Sequence, residues 1–543
     1  MSLMRLRSLF GFNCLCRGIA CYAPTNSVLI GIALVLLSSL SLAPLNAQEA
    51  GQCGVAERIN FPVDVNTFRI VNDFGTPSPR HQGSFHTGED WYGGRGMSFG
   101  QPVRAIANGR VTFSSPTGWG RDGGVIVLEH IMPDGTTVYS QYGHLIETDT
   151  RPFPRGLTCV NAGDVIATIG DARPAPHLHF EIRTNNPTAP GGGYFPEMLI
   201  ERGWIHPSRF IRNWQVWLQP AHEWHVDTSD VRGPAAAPFV LADNSLVVVD
   251  GSRVRRVLPD GRILWRITPD ARPVGVIGLD GLPVIIDASG RMQLVNLDGS
   301  IERSWQTDVA LDGPPLVAGE ALLLRTADDA LVAFAPDLQT IQWRLDNVPP
   351  LLRSHVAART VGLLTERNEL LTISLDGRLL NRTQLRAGAS LDTAMNGDLL
   401  VYTRGGLWTI DANGTWALAI EDAPPGGDSG AILRTLDGRL FLFDGEMLHL
   451  YDETNQHVWQ VPFVPVTGWT QLAFYDDILL LTSNHGHIVA VRASNGGLCN
   501  NVQVYGSRLA NQWQQRGSDG ILRVAIADQI IGLDWATFVR GCL

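Results

Sequence analysis

From Trp214 onward, short apolar runs recur along the chain, each preceded by a turn signal. They follow Asn244 (SLVVV), Gly281 (LPVII), Glu320 (ALLL), Thr360 (VGLL), Gly397 (DLLVY), Gly438 (RLFLF), Asp477 (ILLL) and Gly520 (ILRV), at spacings of 37 to 43 residues. A second set of turns follows the next run, at Asp260-Gly261, Asp298-Gly299, Asp337, Asp376-Gly377, Asn413-Gly414, Glu453 and Ser494-Asn495-Gly496. Asp-Gly and Asn-Gly tolerate the positive φ that tight hairpin turns need. Several of these turns lead into a tryptophan, at Trp265, Trp305, Trp343 and Trp459. Each unit reads as a set of short antiparallel strands, about 40 residues long, the size of a four-stranded propeller blade. The eight units predict eight blades, with seven as the alternative. The eighth unit lacks a last strand, and the segment EWHVDT at 223–228 resembles the Trp-led final strand of the others. It is expected to close the ring, which leaves no long unpaired edge.

Residues 48–213 have a different texture, with irregular loops, short alternating runs and most of the clustered histidines. In PHLHFEIR (176–183) the alternation predicts a strand. Residues two apart on a strand share a face, so His177 and His179 both reach one site. His86 and Asp90 stand four apart in HTGED, after the loop SPRHQGSF, and His144 lies in YGHL after another strand-like run. A catalytic zinc needs three N/O ligands and an open position for water, which two His and one Asp supply. Singly, each histidine is weak evidence. His81, His130, His206, His222 and His225 read as ordinary polar or core residues.

The remaining features bound the setting. Arg5, Arg7 and Arg17 precede an apolar stretch over 28–43, and Ala47 ends a cleavage-like segment before Gln48. Residues 1–47 therefore read as a signal peptide, the alternative being an uncleaved N-terminal membrane anchor, since the stretch falls just short of the ~20 residues that span a bilayer. Beyond it four cysteines remain: Cys53, Cys159, Cys499 and Cys542. An even count suits disulfides in an oxidising compartment. Of three pairings, Cys53–Cys159 and Cys499–Cys542 are preferred because each stays within one region. The 543 residues exceed one ordinary core, and 17% charged residues with 57 Gly describe an ordered, turn-rich chain. A net charge of −11 argues against a dedicated nucleic-acid binder.

The motifs HTGED, YGHL and PHLHFEIR resemble those of the lysostaphin-type (LytM-like) zinc metallopeptidases, which cut peptide cross-links in bacterial peptidoglycan. The resemblance covers roughly residues 74–183 and includes Phe74-Gly75, QPVRAIANGRV (101–111) and VNAGDVIATIGD (160–171). It implies a compact antiparallel β-sheet domain holding Zn2+ on His86, Asp90 and His179, with His144 and His177 as the catalytic pair. Gly143 stands where the family commonly has Ala, a change expected to be neutral. Glu89 beside Asp90 is also unusual, and reads as a surface residue or one that alters local charge. The repeat units resemble quinoprotein-dehydrogenase-like propellers, though without an equivalent of a quinone or calcium site, so the shape is inferred and not the redox chemistry. The expectation is an all-β, exported, extracytoplasmic chain with a peptidase domain over 48–213 and a propeller over 214–543. Its substrate is a peptidoglycan peptide, and the propeller is a binding or positioning module for a cell-surface or protein ligand. The alternative is a non-catalytic scaffold or activator of other wall hydrolases.

Overall fold

The alternating and turn-punctuated segments form strands almost throughout. The computed structural model describes residues 53–185, 188–228, 237–386, 389–426, 430–462, 470–483, 486–503, 513–526 and 529–542. The signal peptide or anchor expected over 1–47 lies outside the described residues.

The front region is built on a ten-stranded sheet. Its main path runs Arg69–Asn72, Glu89–Tyr92, Leu178–Arg183, Thr137–Ile146, Gly124–Ile131, Gly109–Ser115 and Cys159–Val160, paired antiparallel. Ile106, Val111, Ile126, Leu128, Tyr142, Phe180 and Ile182 fill its core with essentially no exposure. His130 belongs to this interior, as its ordinary reading required. Its ring nitrogens meet Asn108 O at 2.8 Å and Ser140 Oγ at 2.7 Å, and burial pushes its pKa down to about 4.

Among the described residues, eight four-stranded sheets follow, one for each repeat. Every apolar run named above is a second strand of a blade, from Leu246–Asp250 to Ile521–Ile526. The eighth blade takes its fourth strand from His222–Asp227, which pairs antiparallel with Gln529–Asp534. This is the expected closure, and it gives eight blades rather than seven. Both preferred disulfides are formed, Cys53–Cys159 and Cys499–Cys542.

The outer-strand tryptophans join neighbouring blades. The indole Nε1 of Trp265, Trp305, Trp343 and Trp459 donates to Leu297 O, Leu338 O, Leu375 O and Ala493 O of the following blade, at 3.0–3.2 Å. The ring lies on the next blade's turn, and there the glycine is needed twice over. Gly377 has φ +91°, and a methyl on it would overlap Trp343.

One helix, Pro207–Trp217, spans the expected junction at 213/214. Phe210, Ile211 and Trp214 pack into the front core, while Val216 packs with Ala221, Leu522, Ile531 and Trp535 of the last blade. Arg209 Nε also pairs with Asp227 Oδ2 at 3.6 Å. Glu89, read from sequence as exposed or merely charge-altering, is fully buried and holds the start of this helix. Its carboxylate accepts from Ser208 N (3.0 Å), Ser208 Oγ (2.6 Å) and Trp91 Nε1 (3.1 Å). A carboxylate at a helix N-terminus satisfies free N–H groups and complements the dipole.

The docking of tryptophan on glycine predicts unequal costs for the same substitution. Gly281 also has positive φ (+79°), but a methyl there meets nothing within 4 Å. Gly281→Ala is expected to cost about 1 kcal/mol from backbone strain, and Gly377→Ala about 3 kcal/mol once the overlap is added. Thermal unfolding measures both, and equal shifts would contradict the docking.

Candidate metal centre

The register of the front sheet brings the motif residues together. Asp90 lies directly opposite His179 across one strand pair, and Gly143 lies opposite His179 across the next. His86 arrives on the short strand Phe85–His86, which pairs with Tyr194–Phe195. His86, Asp90, His144, His177 and His179 all line one groove of about 730 Å³.

Three acceptor atoms converge on its floor. His86 Nε2 is 3.0 Å from His179 Nδ1 and 3.2 Å from Asp90 Oδ1, and His179 Nδ1 is 3.0 Å from Asp90 Oδ1. The other nitrogen of each ring faces an acceptor. His86 Nδ1 donates to Asp73 O at 3.2 Å, and His179 Nε2 to the Glu181 carboxylate at 2.9 Å. With those protons placed outward, lone pairs point at a common centre, and only a proton or a cation there removes their repulsion. Tetrahedral zinc with ligand bonds of ~2.0–2.1 Å separates its ligand atoms by ~3.3 Å, so the triangle is close to the size required. The donor set, two imidazoles and a carboxylate, is also of the right chemistry.

The electrostatics express the same demand. Burial opposes charge on His179, but hydrogen bonds and charge from Asp90 and Glu181 outweigh it and lift its pKa to about 9. Burial likewise opposes the Asp90 carboxylate, yet His179 and His86 hold it well below the usual carboxylate range. Asn72 Nδ2 donates to its second oxygen at 3.0 Å.

His144 and His177 stand beside the triad, their rings 4.5 Å apart. Nδ1 of His144 donates to Asp122 O, and Nδ1 of His177 to Ala175 O, each at 2.7 Å. In the neutral tautomer this leaves both Nε2 atoms as acceptors, and that of His177 is 3.5 Å from Asp90 Oδ1. Burial, then the neighbouring His177, lowers the His144 pKa to about 4, so the ring is neutral near pH 7.

Several participants were not singled out in the sequence. Glu181 is fully buried and accepts from Thr87 Oγ1 (2.6 Å), Trp204 Nε1 (3.1 Å) and Arg183 Nη1 (3.4 Å) besides His179. Burial would raise its pKa, but the His179 hydrogen bond and charge dominate and lower it to about 2. The period of two that pairs His177 with His179 also reaches Glu181, so the signal was present. Tyr194, stacked on His81 at 3.7 Å, lines the groove and brings His81 there too. His206 faces Glu89, with Nδ1 3.1 Å from its carboxylate, away from the triad. Gly143 also differs from expectation. A methyl there would overlap the Trp119 ring, so the position is not neutral.

Carboxylates that orient metal-binding imidazoles typically contribute 10- to 100-fold in affinity. Glu181→Gln is therefore expected to weaken zinc binding by about that factor, measured by competition with a chromophoric chelator. Unchanged affinity would remove Glu181 from the centre.

Comparison with known proteins follows the same division of the chain. Residues 84–190 match the model of peptidase family M23, and residues 214–406 match that of the outer membrane protein assembly factor BamB. No curated protein matches the chain significantly. Similar solved structures include BamB from Moraxella catarrhalis, 14% identical, covering 58% of this chain and 99% of that one, with a TM-score of 0.43. The computationally designed Ika8 protein is 14% identical and covers 56% and 98%, with a TM-score of 0.43. Sqt1 of Saccharomyces cerevisiae is 10% identical and covers 58% and 99%, with a TM-score of 0.45. Sequence motifs, site geometry and family match agree: the chain carries an M23 (LytM-type) peptidase domain at 84–190 and a BamB-like region at 214–406, which lies within the eight-bladed β-propeller of the described residues.

Proposed function

We propose that the protein is an extracytoplasmic zinc metalloendopeptidase that hydrolyses peptide cross-links of peptidoglycan, with residues 48–213 as the peptidase domain and the propeller over 214–543 as a binding or positioning module. The observation that carries this reading is the convergence of His86 Nε2, Asp90 Oδ1 and His179 Nδ1 beside two imidazoles whose Nε2 atoms are free to accept protons.

In this reading His86, Asp90 and His179 hold the zinc. When bound there, zinc supplies a Lewis acid that polarises the scissile carbonyl and makes water acidic near neutral pH. Glu181 and Asp73 O keep the ligand rings in the tautomers that expose the correct nitrogens. His144 and His177 then manage protons. Each holds its own proton on Nδ1 against a backbone carbonyl, so each Nε2 can take one from the attacking water and return it to the leaving amine. The groove walls, including Tyr194, position the peptide. The propeller's indole N–H groups named above are committed to neighbouring blades, so ligand recognition falls to other surfaces. Among the described residues no helix is long and apolar enough to cross a membrane, and the proposed export rests on the 1–47 signal.

Purified wall and defined cross-linked muropeptides provide the test. Zinc-loaded protein is expected to release cleaved peptides, a chelator to stop it, and added zinc to restore it. His179→Ala should abolish turnover, and His144→Ala should lower kcat by about 10²- to 10⁴-fold while zinc stays bound. Stoichiometric zinc with no hydrolysis of any cross-link would favour the non-catalytic activator or scaffold.

A further inference from the structure

We propose that Trp119 is the positioning residue for His144, and that it can occupy its place because residue 143 is glycine. The inference deepens the peptidase reading, since it takes His144 as one of the proton-transfer groups.

The argument starts in the strand Thr137–Ile146. Gly124 pairs with Leu145 and Ile126 with Tyr142, so Val125 alone faces two residues, Gly143 and His144. This is a β-bulge, which re-aims a side chain out of the regular alternation. His144 itself sits at φ +62°, a conformation uncommon for a residue with a Cβ. Such strain persists only where the surroundings over-determine it.

Trp119 provides that surrounding. Its six-membered ring occupies the notch above Gly143, where a methyl would overlap Cζ3 and Cη2. The indole stands edge-on to His144 at 4.9 Å and to His179 at 5.2 Å. Nε1 donates to Gly191 O at 2.8 Å, which ties the Trp119 segment to the loop that follows the His179 strand. Three residues beyond Trp119, at the end of the short turn Gly120–Asp122, lies the carbonyl that accepts from His144 Nδ1 at 2.7 Å. That bond keeps the His144 proton on Nδ1 and its Nε2 lone pair toward the groove. The causal order is therefore Gly143, Trp119, Asp122 carbonyl, and then the tautomer and aim of His144. The Gly-for-Ala departure is the residue that admits the whole arrangement.

The test is a double-mutant cycle on the full zinc-loaded chain, with Gly143→Ala, Trp119→Ala, the double variant, and Trp119→Phe. Two quantities are read. One is the Nδ1–H tautomer signal of His144 in protein labelled with ¹⁵N-histidine, identified by its loss in His144→Gln. The other is kcat and KM on a cross-linked muropeptide. Gly143→Ala is expected to displace the indole, lose the defined tautomer signal and lower kcat about 100-fold, the scale of a small misplacement of a reacting group, with KM moving less. Trp119→Ala should do the same, and the double variant should be no worse than Trp119→Ala alone, because the methyl added at position 143 then has nothing to strike. Trp119→Phe, which keeps an aromatic ring but not the Gly191 bond, should fall between wild type and Trp119→Ala. An unchanged tautomer and rate in Gly143→Ala, or losses that multiply in the double variant, would overturn the proposal. Should Gly143→Ala not fold, an unchanged His144 signal and kcat in Trp119→Ala would overturn it alone. A wild type that hydrolyses nothing, yet loses the His144 signal on Gly143→Ala, would sink the peptidase reading and leave the positioning role standing.

Discussion

Two imidazole nitrogens and a carboxylate oxygen, held about 3 Å apart with their own protons turned outward, repel one another unless positive charge sits between them. Much of the front domain serves to maintain that arrangement. Antiparallel register sets Asp90 across from His179. Glu181 fixes one ring from behind, Asp73 O fixes the other, and Asn72 holds the spare oxygen of Asp90. Glu181 is in turn surrounded by donors from Thr87, Trp204 and Arg183, so the ligand geometry is anchored in the core. The resulting site favours a cation and sets two further imidazoles beside it, with the Nδ1 of each held to a backbone carbonyl, an arrangement compatible with metal-assisted hydrolysis.

A large part of this was legible in the chain itself. Strand periodicity put His177 and His179 at one site, although the strand itself begins at Leu178. Turn spacing favoured eight blades over seven, and the Trp-led segment 223–228 marked the closing strand, which lies at His222–Asp227. These features are local or strictly periodic, which is why sequence reports them. Long-range register carries the rest. Nothing near Glu89 in sequence says that its carboxylate receives Ser208, 119 residues away. Likewise Gly143 looks interchangeable with Ala until the strand bulge and the loop bearing Trp119 are set side by side. Tyr194 and His81 reach the groove only because a two-residue strand pairs Tyr194 with His86.

The two halves are coupled by ordinary packing. Helix Pro207–Trp217 gives Phe210 and Ile211 to the front core and Val216 to the last blade. Its first turn rests on Glu89, the neighbour of Asp90. The blade whose ring-closing strand follows this helix is therefore joined to the candidate metal centre through one buried carboxylate. Such a connection is packed contact between peptidase domain and propeller, in place of a freely swinging tether.

The most direct test of the central claim is a zinc titration of the metal-free protein at pH 7 that follows metal stoichiometry and released protons together. His179, with its pKa lifted to about 9, carries the extra proton before metal binds and must give it up on binding. One zinc bound and about one proton released per chain is the predicted result, with both lost in Asp90→Ala. A wild type that binds no zinc, or one whose binding is untouched by Asp90→Ala, would contradict the account.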